Sequence, residues 1–153
     1  MPSDFLNDLI DHKRRVAEYL RRDANESFER AIIHDNSKFS PEEYEIYEQA
    51  FPELQKHPYG SEQFKLAIQT LGPALEHHYK ANSHHPEHFE NGIEDMTLFD
   101  VREMVYDWMA ASHRSQTGIE KGLEINAKRY GIGDQLLKII KNTVRYMQEK
   151  GEM

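Results

Sequence analysis

The chain has 153 residues, of which 38% are hydrophobic and 30% charged, and 19 Lys and Arg against 27 Asp and Glu leave a net charge of −8. That length suits one domain hiding roughly two thirds of its unfolded surface, and the composition is that of a polar-surfaced globular protein rather than a membrane or disordered one. The acidic balance argues against duplex nucleic acid as a partner, since backbone binding needs clustered Lys and Arg.

There is no cysteine, so disulfides, thiolate metal sites and cysteine nucleophiles are excluded. The N-terminal residues carry no basic segment followed by an apolar one. No apolar run approaches the roughly 20 residues of a membrane span. The expected location is cytoplasmic, with no membrane partner. The oligomeric state is not legible.

Residues 4 to 23 read as a helix, with Phe5, Leu9, His12, Val16 and Tyr19 or Leu20 at helical spacing. His12 falls inside that apolar stripe. Residues 25 to 35 read as a second helix with Phe28, Ala31 and Ile32 inward, ending in His34-Asp35-Asn36-Ser37-Lys38. Asn36 and Ser37 compete for backbone hydrogen bonds and favour leaving a helix. Ser40-Pro41-Glu42-Glu43 has the form of a capping box, so the next helix is expected from about residue 41, with Tyr44, Tyr47 and Phe51 on its apolar side.

Ser61 is placed to cap a helix carrying Phe64, Ala67, Ile68 and Leu71. Gly72-Pro73 breaks it and opens a new segment, in which Leu75, His78 and Asn82 follow at three- and four-residue spacing. His78, more than His77, therefore points inward. His84-His85-Pro86 lies in a loop, because the residue before a proline avoids the helical region. Thr97 starts a helix with the stripe Leu98, Val101, Met104, Val105 and Trp108, and Asp107 stands on its shoulder. Residues 118 to 130 are helical, ending at Gly131. The last helix runs from about 133 to 149, with Leu136, Ile140, Val144 and Met147 inward. No stretch alternates with period two. The fold class is all-α.

Five of the nine histidines fall between His77 and His88. Neutral imidazole is the commonest metal ligand. Taken with His12, the pair His34-Asp35 and the acid Asp107, the segment's His78, His84 and His85 find one explanation. Helices converging on a point supply His and Asp ligands from distant parts of the chain, and a divalent ion removes the cost of burying the carboxylates. Nitrogen and oxygen donors without sulfur suit Mn, Fe, Co, Ni or Zn, as one ion or two. The plainer alternative is a wet, histidine-rich loop.

The ordered set of a His on one helix, an adjacent His-Asp and a distal Asp resembles the HD-domain superfamily of metal-dependent phosphohydrolases. More closely, the chain is similar to a family of small, largely uncharacterised HD-like proteins of bacteria and phages. The matching pieces are His12-Lys13 with Val16, then His34 to Phe39, then His77-His78 with Asn82 and His84-His85, and finally Glu103-Met104 with Asp107-Trp108. They span about residues 9 to 114. The resemblance implies one HD-like helical bundle over 1–153 with about six helices. Its motifs occupy about residues 5–117, and the helices of 118–150 serve packing. Where some nucleotidase branches carry Glu three residues after the His-Asp pair, this chain has Lys38, as cyclic-dinucleotide phosphodiesterase branches do. It lacks their Gly-Tyr-Pro segment.

The resemblance implies a phosphohydrolase acting on a phosphate ester or anhydride, with a nucleotide as the expected small phosphorylated substrate. One or two divalent ions (Mn, Co, Ni, Zn, Mg or Fe) are held by His12, His34, Asp35, His78, His84, His85 and Asp107. Lys38, Asp35 and His85 are the catalytic candidates: Lys38 holds phosphate oxygens, and His85 donates to the leaving oxygen or binds a second ion. Lys80 and Arg114 are further phosphate contacts. Two other readings use the same ligands, a di-iron oxygenase and a non-catalytic metal-binding or interaction protein.

Overall fold

The computed structural model describes residues 3–115 and 117–151. Every regular element among them is helical: seven α-helices and three short 3-10 turns, against about six helices expected. None is long and apolar enough to cross a membrane. The chain falls into two compact units, one ending at His34 and the other beginning at Asp35.

The first unit is a single helix, α1 (Asp4–Ile33). Ser3 caps it, its side chain accepting from Leu6 N at 3.2 Å. Two helices were expected here, 4 to 23 and 25 to 35. Asp23, Ala24 and Asn25 instead continue one rod. None of them is Gly or Pro, so no residue forces a break. Arg21 and Arg22 pair with Glu18, and Arg30 with Glu26, across single turns. The stripe containing Phe5, Leu9, Val16, Leu20 and Phe28 is exposed, because a lone helix has nothing within its own unit to pack against.

The second unit opens with Asp35 in the left-handed region (φ 57°), followed by a 3-10 turn, Asn36–Phe39. Asp is among the few residues that tolerate that conformation. Helix α2 (Tyr44–Leu54) starts three residues later than the start expected near residue 41. The Ser40 carbonyl, not its side chain, receives the Glu43 and Tyr44 N–H groups, and Glu43 turns inward, wholly buried.

The next starts fall as expected. Ser61 caps α3 (Glu62–Gln69) by accepting from Phe64 N. Pro73 sits in the first turn of α4 (Gly72–Ala81). Thr97 and Asp100 form a reciprocal capping box on α5 (Leu98–Ser112). Helices α6 (Ile119–Tyr130) and α7 (Asp134–Glu149) complete the unit.

The core lies among α5, α6 and α7, where Met104, Val105, Met109, Leu123, Ile140 and Val144 are buried together. Each such side chain contributes about 1.5–3 kcal/mol on leaving water. Leu136 and Met147 pack at its edge. Leu98, expected in the stripe, is instead 82% exposed. It is the first residue of α5, before the helix has reached its neighbours. Met109 takes a buried place that the expected stripe omitted.

Gly131 ends α6 in the left-handed region (φ 66°), and a Cβ there would meet nothing within 4 Å. The penalty of a side chain is therefore backbone strain alone. Gly131→Ala is expected to destabilise the protein by about 1 kcal/mol, read as a lower denaturation midpoint with unchanged slope.

Candidate metal centre

Four residues of the second unit bring ligand atoms within 4.8 Å of one another: Asp35, His78, His84 and His85. Three elements place them. The turn after α1 presents Asp35, the last full turn of α4 presents His78, and the loop after α4 presents His84 and His85. Asn82 joins the first two elements. Its side-chain nitrogen donates to Ser37 Oγ at 2.7 Å and to the His78 carbonyl at 2.8 Å. Ser83 anchors the loop to α5, donating to Asp100 at 2.6 Å. Asp100 in turn accepts from Thr97 N in the capping box. Beyond the loop, Arg129 and Tyr130 of α6 both donate to Glu87.

The rings are oriented from behind. Glu43 Oε2 lies 3.0 Å from His78 Nδ1, and Glu43 Oε1 lies 2.7 Å from His77 Nδ1. Glu103 Oε1 lies 3.2 Å from His84 Nδ1. A carboxylate only accepts, so each of these Nδ1 atoms carries the proton. In neutral rings, the lone pairs of His78 and His84 then sit on Nε2. Those Nε2 atoms face Asp35 Oδ1, at 3.3 Å and 3.4 Å. The His78 and His85 Nε2 atoms are 2.9 Å apart.

Acceptors thus converge on acceptors in a buried place unless a ring turns an N–H to Asp35, and a bound cation would relieve that. Two donors about 2.1 Å from one ion are about 3.0 Å apart at an octahedral edge and about 3.4 Å at a tetrahedral one. The observed 2.9 to 3.4 Å spans that interval. The donor set therefore fits a divalent ion. Carboxylates behind ligating imidazoles are the usual means of fixing their tautomer and raising their basicity.

An N–H of either ring turned to Asp35 is the other way to satisfy its buried oxygen, and it sets the carboxyl's titration. Burial alone raises the Asp35 pKa, but hydrogen bonding to His78 and His84 and the charge of Lys38 outweigh it and hold the carboxyl far below its usual range. Burial, and then the neighbouring His84 and His78, push His85 down to about 3. Both effects favour the neutral form of His85.

The remaining sequence candidates are placed as follows. Lys38 Nζ donates to Asp35 Oδ2 at 2.5 Å. Asp107 and Arg114 line a cavity together with Lys38, His78 and His85. His12 is exposed on α1, and His34 caps that helix immediately before Asp35; both belong to the first unit. Lys80 pairs with Glu76 on the surface. His77 is 42% exposed in its side chain, and His88 turns to the Tyr79 carbonyl.

Sequence reasoning missed Glu43, which looked like the last residue of a capping box. The signal was its neighbour: Ser-Pro-Glu-Glu supplies two acids, and a box uses only one. Glu43→Gln retains the shape but can accept at only one oxygen. It is expected to weaken metal binding about 10- to 100-fold, read by titration against a chelator, with the helical circular dichroism unchanged.

No curated protein and no solved structure matches the chain. A family model described as a family of unknown function, DUF5662, matches residues 1–146. Covering nearly the whole chain, including every residue of the cluster, that match places the protein in the DUF5662 family.

Proposed function

We propose that the protein is a metal-dependent phosphohydrolase of the HD type, acting on a phosphate ester or anhydride. The observation that carries the reading is the convergence of Asp35, His78, His84 and His85 around one point, with Lys38 beside it and a cavity in front. A divalent ion held there supplies Lewis acidity and lowers the pKa of a water toward neutrality.

The chain's own groups do the rest. Asp35 keeps Lys38 against the centre, so that the ammonium meets a non-bridging phosphate oxygen as charge builds on it. Glu43 and Glu103 hold the His78 and His84 rings with their Nε2 atoms turned to Asp35. His85 completes the ligand set as a neutral imidazole. The cavity wall restricts water around the reacting phosphorus. By resemblance Asp107 belongs to the same ligand set, and a nucleotide is the expected substrate.

The test begins with metal content. Wild-type protein reconstituted with Mn, Co, Ni, Zn or Mg should retain the ion through desalting, and Asp35→Ala should lose both ion and phosphate release. Lys38→Ala should retain the ion while turnover falls about a hundredfold, the scale of losing one donor to a charge-bearing transition state. Undiminished turnover in Lys38→Ala would remove the phosphate role given to that residue. Two irons per chain with an oxygen-dependent absorbance change would instead favour a di-iron oxygenase. If the reconstituted wild type held no ion, the metal reading itself would be lost.

A further inference from the structure

The cavity in front of the cluster has a volume of about 360 Å³, within the range of small-molecule sites. It lies wholly in the second unit. His78, His85, Lys38 and Asp107 share it with a wall of apolar and aromatic side chains. The rings begin at the cluster itself. Tyr47 meets His78 edge-on at 5.9 Å between centroids, and Tyr79 lies 5.0 Å from His85. Phe64 and Tyr59 continue the aromatic wall, 5.2 Å apart.

Charge is scarce on that wall. Of its three Lys and Arg residues, Lys38 faces Asp35 and Arg129 faces Glu87, which leaves Arg114 as the cation on that wall without a carboxylate partner among the described residues. A polyphosphate chain carries several negative charges and would meet tyrosine and phenylalanine faces where it needs donors. A single phosphate held at the cluster, attached directly to a flat apolar body, meets complementary groups at both ends.

Helix α6 adds an independent observation. Gly122 lies in its interior, where glycine costs about 1 kcal/mol relative to alanine. It lines the cavity, and a Cβ built there meets nothing within 4 Å. One turn later, on the same face, Asn126 also lines the cavity. Asn126 is 2% exposed and accepts the Tyr59 hydroxyl at 2.6 Å. The helix thus carries no side chain where Gly122 lines the cavity.

We infer that this cavity binds the organic body of the substrate, and that the body is aromatic: the substrate class is a monophosphate ester of an aryl alcohol. The inference rests on the phosphohydrolase reading and deepens it, setting an aryl ester in place of the nucleotide that the resemblance implies. In the reaction, water oxygen forms the new bond to phosphorus and the phosphorus–aryl oxygen bond breaks. One water proton ends on the departing aryl alcohol and the other remains on the released phosphate.

Trp108, the only tryptophan of the chain, lines the cavity and reports on its occupancy. The probe is 4-nitrobenzylphosphonate, whose carbon–phosphorus bond resists hydrolysis and whose nitroaryl group quenches tryptophan. Titrated into metal-loaded protein, it should quench Trp108 saturably, and methylphosphonate and ATP should compete at least tenfold more weakly. Gly122→Phe should reduce probe affinity at least tenfold with metal content and circular dichroism unchanged. Ala111→Phe, which fills the cavity from α5, should do the same if Gly122→Phe does not fold. Turnover of 4-nitrophenyl phosphate should exceed that of glycerol phosphate and ATP. Non-saturable quenching, undiminished affinity in a folded cavity-filling variant, or tighter binding of ATP would overturn the inference. Saturable binding sensitive to cavity filling, without phosphate release from any ester, would support the cavity's preference for a ring and overturn only the phosphohydrolase reading.

Discussion

The second unit is built around one electrostatic problem, a buried carboxylate oxygen facing two imidazole nitrogens. Asp35 Oδ1 stands 3.3 Å from His78 Nε2 and 3.4 Å from His84 Nε2. Taking a carboxylate out of water costs several kcal/mol unless charge or hydrogen bonds compensate it. Here compensation comes from three elements at once, which must all be held in register. The left-handed turn at Asp35, the end of α4 and the loop before Pro86 come together there.

The scaffold separates packing from chemistry. Met104, Val105, Leu123, Ile140 and Val144 form an apolar core among α5, α6 and α7. The polar cluster lies to one side and is secured by neutral and charge-assisted hydrogen bonds: Asn82 to Ser37, Ser83 to Asp100, and Arg129 to Glu87. Each is worth about 0.5–3 kcal/mol. Together they hold loop residues with the definition of helical ones. Helix α5 serves both halves. Its inner face packs the core, while Glu103 orients His84 and Asp107 reaches the cavity. This is how a site on loops attains the rigidity that ligand geometry demands.

Glu43 shows how much of the site lies behind the ligands. Both of its oxygens are engaged by histidines, and it is wholly inaccessible to solvent. It decides which nitrogen of His78 is available at the centre. A carboxylate in that position acts on any ion only through the imidazole it orients. The family match names no activity, so the case for chemistry rests on these distances and on the cavity they open into.

Local sequence determined the helical class, most helix starts and one ligand's direction. Ser61, Pro73 and Thr97 act on backbone groups within one turn, so their effect is legible from neighbours alone. The spacing from Leu75 to His78 to Asn82 likewise turned His78 inward rather than His77, because helical period is a local property. Leu98 and Glu43 were misread for the opposite reason. Whether Leu98 is covered depends on where other helices end, and whether Glu43 caps a helix or meets two imidazoles depends on a segment 34 residues away. The continuous α1 was hidden because Asp23 and Asn25 lower helix propensity without breaking a helix. The histidine-rich segment pointed to a candidate metal site by composition, yet composition is silent on tautomer and distance. Only tertiary structure decided that Glu43 and Glu103 stand behind the rings and that Gly122 opens a cavity before them. Those facts arise from contacts between chain segments far apart in sequence, and no local pattern encodes them.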